Sequence, residues 1–198
     1  MMLILASQSA SRRALLAAAG VPYEAHNPGV DEEAAKASLK QQGVSSRDLA
    51  DALAELKARK LSVRHPQAFV LGCDQLLERG DGVLLDKAGS RQEAREQLQA
   101  LRGTTHRLIS AAVICEAGAP IWRHVDVAKL TMRNFSDAFL EAYLDAEWPA
   151  IGACVGGYRL EGPGVQLFSM VEGSHFTVMG LPLLPLLNWL RERKVLPS

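Results

Sequence analysis

Excess charge of either sign is absent from this sequence. Lys plus Arg number 22 and Asp plus Glu number 22, a formal net charge of zero with histidine neutral. Non-specific affinity for duplex nucleic acid comes from basic groups in excess against phosphates, so the balance argues against a broad polymer-binding surface and leaves room only for a local cluster that holds a small polyanion. Cysteine is scarce as well. Cys73, Cys115 and Cys154 are odd in number and show no C-x-x-C spacing, which suggests neither a disulfide framework nor a cysteine zinc site. His26, His65, His106, His124 and His175 lack H-x-x-x-H spacing, so no histidine metal site is supported. No apolar run reaches the roughly 18 residues of a membrane span. The apolar start at residues 1–6 has no basic stretch before it and meets Ser7-Gln8-Ser9 too early for an export signal. A cytoplasmic protein without a membrane partner is the expectation. No G-x-x-x-x-G-K-[ST] occurs, which excludes a P-loop.

What is present fits a soluble globular protein: 48% apolar residues, 22% charged, 16 Gly and 9 Pro in 198 residues. That length suits one domain, at most an elongated one with two lobes around a cleft. Residues 3–6 read as a buried strand, followed by a Ser-rich loop and a helix over 12–19 that Gly20 and Pro22 close. Residues 31–65 predict two helices broken at 43–46, with Ser45 or Ser46 capping the second. A buried strand over 69–73 delivers Asp74 at its end, and Gly80-Asp81-Gly82 reads as a hairpin turn. Then come a helix over 90–101 stopped by Gly103, paired strands over 107–115 and 121–132, and a helix over 137–146 capped by Ser136. A Gly-rich loop system at 152–164, a strand over 165–170 and a terminal helix over 183–193 complete the pattern. No repeat or linker divides the chain, so the expectation is a single α/β domain, 1–198, with a mixed sheet flanked by helices.

Several residues are candidates for chemistry. Ser7-Gln8-Ser9-Ala10-Ser11-Arg12-Arg13 places hydroxyls and two guanidiniums where a strand meets a helix N-terminus, a combination that favours a phosphate. A serine cap with a solvated basic first turn accounts for the same residues. Asp74, at the end of a buried strand, stands where ligands bind in α/β sheets, though a turn aspartate is the commoner reason for such a residue. Asp31-Glu32-Glu33 offers oxygen ligands for a hard cation, and equally the ordinary acidic first turn of a helix. Lys57 shares a helical ridge with Leu49 and Leu53, so its amine points along the protein face or snorkels. Lys87 is similarly ambiguous. Gly152-Ala153-Cys154-Val155-Gly156 matches G-x-C-x-G, but a nucleophile elbow needs a strand before it and a helix after it; a structural thiol is the alternative.

Taken together these segments resemble the Maf family of nucleoside triphosphate pyrophosphatases over almost the whole chain. Residues 5–16, Leu-Ala-Ser-Gln-Ser-Ala-Ser-Arg-Arg-Ala-Leu-Leu, are similar to the family's opening L-A-S-x-S-P-R-R-x-x-L-L. Val30-Asp31-Glu32, Leu56-Lys57-Ala58, Gly72-Cys73-Asp74, Lys87, Glu161-Gly162 and Val178-Met179-Gly180-Leu181-Pro182-Leu183 resemble its later motifs in order and spacing. The resemblance implies an α/β fold with a mixed, elongated sheet and two lobes around a cleft, a homodimer, and hydrolysis of a nucleoside triphosphate to monophosphate and pyrophosphate with Mg²⁺ or Mn²⁺. It implies Asp74 as the base, Glu32 and Asp74 near the metal, and Ser7, Ser9, Arg12, Lys57 and Lys87 on the phosphates. It also implies that Ser11, Gln75 and Glu161 bear on which base is bound.

Gln75 and Glu161 are similar to the family branch that acts on 7-methyl-GTP. A carboxylate accepts from the adjacent N1–H and N2–H₂ of guanine, whereas uracil and thymine would set carbonyls against it. The sequence departs from the family at Ala10 for proline, at Ser11 for that branch's tryptophan, at Asp86 and Ala88 around Lys87, and at Ser110 for threonine. Two other readings stand beside the enzyme: a non-catalytic nucleotide-binding regulator, in line with the family's association with septum formation, and a Cys154-dependent hydrolase.

Overall fold

The computed structural model describes residues 1–197, which divide into two compact units. The first comprises residues 1–75, 109–126 and 174 onward, and the second residues 76–108 and 127–173. The chain is of mixed α/β class. Among the described residues its strands form one seven-stranded sheet, and no helix is long and apolar enough to cross a membrane.

The first unit starts with β1 (Met2–Ala6), whose last four residues are all buried, followed by α1 (Ala10–Ala18) and the short β2 (Glu24–Ala25). Next come α2 (Glu32–Gln41), α3 (Ser46–Ser62) and β3 (Ala68–Arg79). The strands β2 and β3 both pair parallel to β1. Burial on both faces explains why β1 and the first half of β3 are nearly unbroken apolar runs.

The two faces of this part of the sheet follow from the period of two along each strand. Leu3 and Leu5 of β1 and Phe69, Leu71 and Cys73 of β3 enter one core cluster with Leu16 of α1 and Leu183, Leu186, Trp189 and Leu190. The last four belong to α7 (Leu183–Glu192). Even-numbered residues of β3 turn the other way, and there α3 packs. Its buried face carries Leu49, Ala50, Leu53, Ala54, Lys57, Ala58 and Leu61, so Lys57 occupies a core position among aliphatic neighbours. The approach is close because β3 offers Gly72: a Cβ there would stand 2.7 Å from the Ala58 nitrogen and 2.9 Å from the Ala58 Cβ.

The second unit begins in the later half of β3, which turns back through residues 80–83 into β4 (Leu84–Leu85), its antiparallel partner. The sequence places the strand's end at Cys73; the structure carries it on to Arg79, because Leu76 and Leu77 continue the buried apolar pattern. Then follow α4 (Arg91–Leu101), β5 (Thr105–Glu116), β6 (Ala119–Met132) and α5 (Asp137–Glu147). Ala117 and Gly118 both have positive φ, 47° and 84°, the geometry of a two-residue hairpin turn between β5 and β6. Ser136 caps α5 as expected, and Ser90 caps α4 in the same way. Residues 165–167 are not strand: Pro163–Leu167 forms a 3-10 turn, and β7 is Phe168–Glu172, antiparallel to β6. The Pro-Gly start favours the turn over extension. A further helix, α6 (His175–Val178), has no counterpart among the sequence expectations; four residues are too short for a periodic signal.

Inside the second unit His106 of β5 is 1% exposed, with Nε2 2.7 Å from the Tyr158 hydroxyl and Nδ1 without a partner. Burial lowers its pKa from 6.5 to about 4. Between those values the unfolded chain binds the extra proton, so the contribution to stability is complete above pH 6.5 and is lost as the pH falls. From pH 7.5 to 5 this group alone removes about 2 kcal/mol. Urea midpoints at the two pH values should show that difference shrinking in His106→Asn. Gly72→Ala should destabilise by about 3 kcal/mol, because backbone rather than a flexible side chain must give way; the same titration checks it.

Candidate active site

β1 stops at Ala6, opposite Gly72, while β3 continues. Beyond that register the Cys73 carbonyl accepts from side chains, at 3.3 Å from Arg12 Nη1 and 3.4 Å from Lys57 Nζ. The carboxyl end of a parallel strand is where α/β sheets place ligands, and Asp74 lies level with the end of β1 although it is inside β3. The structure therefore replaces a strand-end aspartate with a mid-strand one beside a neighbouring strand's end.

Lys57 is 5% exposed and Asp74 6%. The ammonium lies 2.7 Å from Asp74 Oδ1 and 2.8 Å from Glu32 Oε2, a carboxylate on the exposed start of α2. One cation thus joins a carboxylate inside the protein to one at its surface. Burial raises the Asp74 carboxyl above the ordinary carboxylate value, and the adjacent Lys57 and then Arg12 pull it back. Asp31, next to Glu32, caps α2 by accepting from the Ala34 N–H. Lys60, one turn from Lys57, donates instead to the Gly29 carbonyl.

Around the end of β1, Ser7 Oγ accepts from the Ser9 N–H and from Arg12 Nη1, both at 3.2 Å. Ser9 Oγ caps α1 by accepting from the Arg12 N–H at 3.4 Å. Each hydroxyl retains its own proton for donation. Arg12 is buried and folds back over the helix start, its Nε donating to the Gly180 carbonyl at 2.8 Å, whereas Arg13 is exposed. The two arginines that look equivalent in sequence are therefore separated by the helix: one enters the site and the other points to solvent. Ser11, half-buried, lies in the first turn of α1.

Gln75 follows Asp74 and so points to the opposite face of β3. There its Nε2 lies 3.0 Å from each of Ser110 Oγ and the carbonyls of Thr177 and Val178. The sequence reading did not single out Thr177, nor the Cys73 and Gly180 carbonyls. The Val178-Met179-Gly180-Leu181-Pro182-Leu183 segment marked the neighbourhood, but a carbonyl acceptor leaves no residue-type signature.

Among the expected site residues, Ser7, Ser9, Ser11, Arg12, Glu32, Lys57, Asp74 and Gln75 belong to the first unit. Lys87 and Glu161 belong to the second, where both are exposed and Lys87 forms an isolated antiparallel bridge with Val155. Near Glu161, the buried Glu147 accepts from Arg159 Nε at 3.1 Å and Nη2 at 2.6 Å. Cys154 follows a 3-10 turn, Ala150–Ala153, so the strand–nucleophile–helix geometry of an elbow is missing there. Burial, reinforced by Glu161, pushes its thiol up, away from the reactive thiolate. Among the described residues no group of three or more His, Cys, Asp and Glu could hold a metal. The oxygen donors near Lys57 are a pair, Glu32 and Asp74, which suits an ion of the Mg²⁺ type that takes one or two carboxylates and completes its shell with water and phosphate.

The family model described as Maf-like protein matches residues 2–193. A Rhodospirillum rubrum protein named nucleoside triphosphate pyrophosphatase is 54% identical over 195 residues, covering 98% of this chain and 96% of its own. A Caulobacter vibrioides protein of the same name is 54% identical over 187 residues, 94% of this chain and 93% of its own. One from Sphingopyxis alaskensis is 48% identical over 198 residues, the full length of both. None of these names specifies a base. Matched almost end to end by the family model and by relatives at such identity, this chain belongs to the Maf family.

Proposed function

We propose that the protein is a nucleoside triphosphate pyrophosphatase that hydrolyses its substrate between the α and β phosphates, releasing a monophosphate and pyrophosphate, and that it serves to clear modified nucleotides from the pool. The observation that carries this reading is the buried Lys57 ammonium held by Asp74 and Glu32 on a site that Arg12, Ser7 and Ser9 complete. Such a set supplies what phosphoryl chemistry needs from a protein: positioned positive charge, hydroxyl donors and one carboxylate able to take a proton.

Asp74 is the group that accepts the proton of the attacking water. Burial raises its pKa, which makes it a better base than a solvated aspartate, and the Lys57 and Arg12 charges oppose that rise. As charge moves onto the leaving pyrophosphate, the Lys57 ammonium and the Arg12 guanidinium neutralise it, and the Ser7 and Ser9 hydroxyls donate to phosphate oxygens. Glu32 and Asp74 would hold a Mg²⁺ or Mn²⁺ ion, which when bound supplies Lewis-acid neutralisation of the triphosphate. Lys87, as a further phosphate-binding cation, and Glu161, as the acceptor for a guanine-type base such as 7-methylguanine, rest on the sequence resemblance. A cytoplasmic homodimer is part of the same proposal.

With Mg²⁺ or Mn²⁺ present, a triphosphate panel that includes 7-methyl-GTP should yield pyrophosphate rather than orthophosphate. Asp74→Asn should lower kcat by about 10³-fold. Lys57→Met should do at least as much, and it leaves Asp74 buried and unpaired, so a stability loss of about 3 kcal/mol should accompany it. Full turnover in Asp74→Asn would remove that residue from the chemistry, and binding without turnover on every triphosphate would favour the regulator reading. Glu161→Gln should shift the ratio of kcat/KM values towards pyrimidine triphosphates; an unchanged ratio would show that Glu161 does not read the base.

A further inference from the structure

Gln75 is the residue whose surroundings fit its expected part least well. By resemblance it bears on base preference, yet its amide nitrogen lies 3.0 Å from each of three acceptors within its own unit: Ser110 Oγ and the carbonyls of Thr177 and Val178. An amide has two N–H donors, so nothing on that nitrogen is left for a nucleobase. The carbonyls it meets belong to the four-residue helix α6. Three of its four carbonyls accept backbone N–H groups, His175 from Met179, Phe176 from Leu181 and Thr177 from Gly180, so the Gln75 amide is the donor to the Val178 carbonyl and an added one to that of Thr177. Ser110 supplies a second side-chain donor, its hydroxyl lying 2.8 Å from the Thr177 carbonyl, while the Thr177 hydroxyl donates to Asp126 Oδ2 at 2.5 Å. The turn is therefore gripped by β3, β5 and β6 through three side chains.

What the grip serves is seen two residues on. Gly180 has φ of 91°, a conformation that aims its carbonyl at Arg12 Nε, 2.8 Å away. A Cβ on Gly180 would stand 3.4 Å from Gln75 Oε1 and 3.5 Å from both Nε and Nη2 of Arg12, so the amide, the turn and the guanidinium are packed against one another. Arg12 Nη1 is held separately by Ser7 Oγ and the Cys73 carbonyl. With Nε and Nη1 both directed, the plane of the guanidinium is set, and only a set plane offers a phosphate its fork geometry.

We propose that Gln75 is a positioning residue which, by holding the turn at 175–180 through its Nε2, fixes the Gly180 carbonyl and with it the orientation of Arg12 towards phosphate. This rests on the reading of Arg12 as a phosphate-binding residue. The base plays no part in it, so the signature is a defect that every triphosphate shares and that a ligand with no base also feels.

The test uses Gln75→Met, which keeps the length of the side chain and removes its donors, with Ser110→Ala as the second variant should the first not fold. Circular dichroism confirms folding. Expected is a drop of about tenfold in kcat/KM that is equal for purine and pyrimidine triphosphates, since misplacing a charged group by a fraction of an ångström costs on that order. Inhibition by inorganic tripolyphosphate should weaken by a similar factor. In an Arg12→Ala background the same substitution should change either quantity by less than about twofold, because two residues acting through one contact are not additive. A changed ratio between bases with tripolyphosphate inhibition intact would overturn the proposal and make Gln75 a base reader. So would a full tenfold effect in the Arg12→Ala background. Arg12→Ala with Gln75 intact is the separate control: unaltered tripolyphosphate inhibition there would overturn the phosphate reading of Arg12 itself.

Discussion

A single ammonium group buried between two carboxylates is the constraint that this site is built around. Lys57 gives up most of its hydration to sit at a core position of α3, and the carboxylates of Asp74 and Glu32, both within 2.8 Å, compensate that loss. The same contact acts on Asp74, whose carboxyl is raised by burial and pulled back by the lysine charge. Gly72 is the structural condition for the pair, because only a residue without a side chain allows α3 to approach β3 closely enough for the lysine to reach across.

From that contact the rest of the first unit follows in layers. Consecutive residues of a strand face opposite sides, so Asp74 meets α3 and Gln75 meets the turn that precedes α7. The Cys73 carbonyl between them accepts from cations belonging to different helices, Arg12 of α1 and Lys57 of α3. Three successive residues of one strand therefore address the lysine, both cations and the turn behind Arg12. A strand interrupted at Cys73 would hold none of this in register. Its continuation to Arg79, with Leu76 and Leu77 buried, keeps the segment rigid.

Much of the architecture could be read from residue order because the signals were local. Ser9, Ser45, Ser90 and Ser136 cap their helices, Gly103 stops α4 with a positive φ of 66°, and alternating or continuous apolar runs mark β1, β5 and β6. Where the reading failed, the signal was short or ambiguous. The four-residue α6 carries no period, the apolar run at 165–167 folds as a 3-10 turn after Pro163-Gly164, and strand β3 passes through a polar Asp-Gln pair that looks like an ending. The acidic triplet was split in the same way, with Asp31 used as a helix cap and Glu32 as a partner of Lys57.

What the sequence determined by itself is a chemical inventory with its spacing: equal numbers of basic and acidic groups, serines and arginines where a strand turns into a helix, an aspartate after a buried run, and the ordered motifs of one family. Tertiary structure alone decided which of those groups meet. Arg12 and Arg13 are adjacent and chemically identical, yet one is buried on the Gly180 carbonyl and the other exposed. Lys57 and Lys60 lie on nearly one helical face, yet one joins two carboxylates and the other a backbone carbonyl. The physical reason is that a charge enters the interior only where a partner distant in sequence compensates its lost hydration, and the position of that partner is a property of the folded sheet.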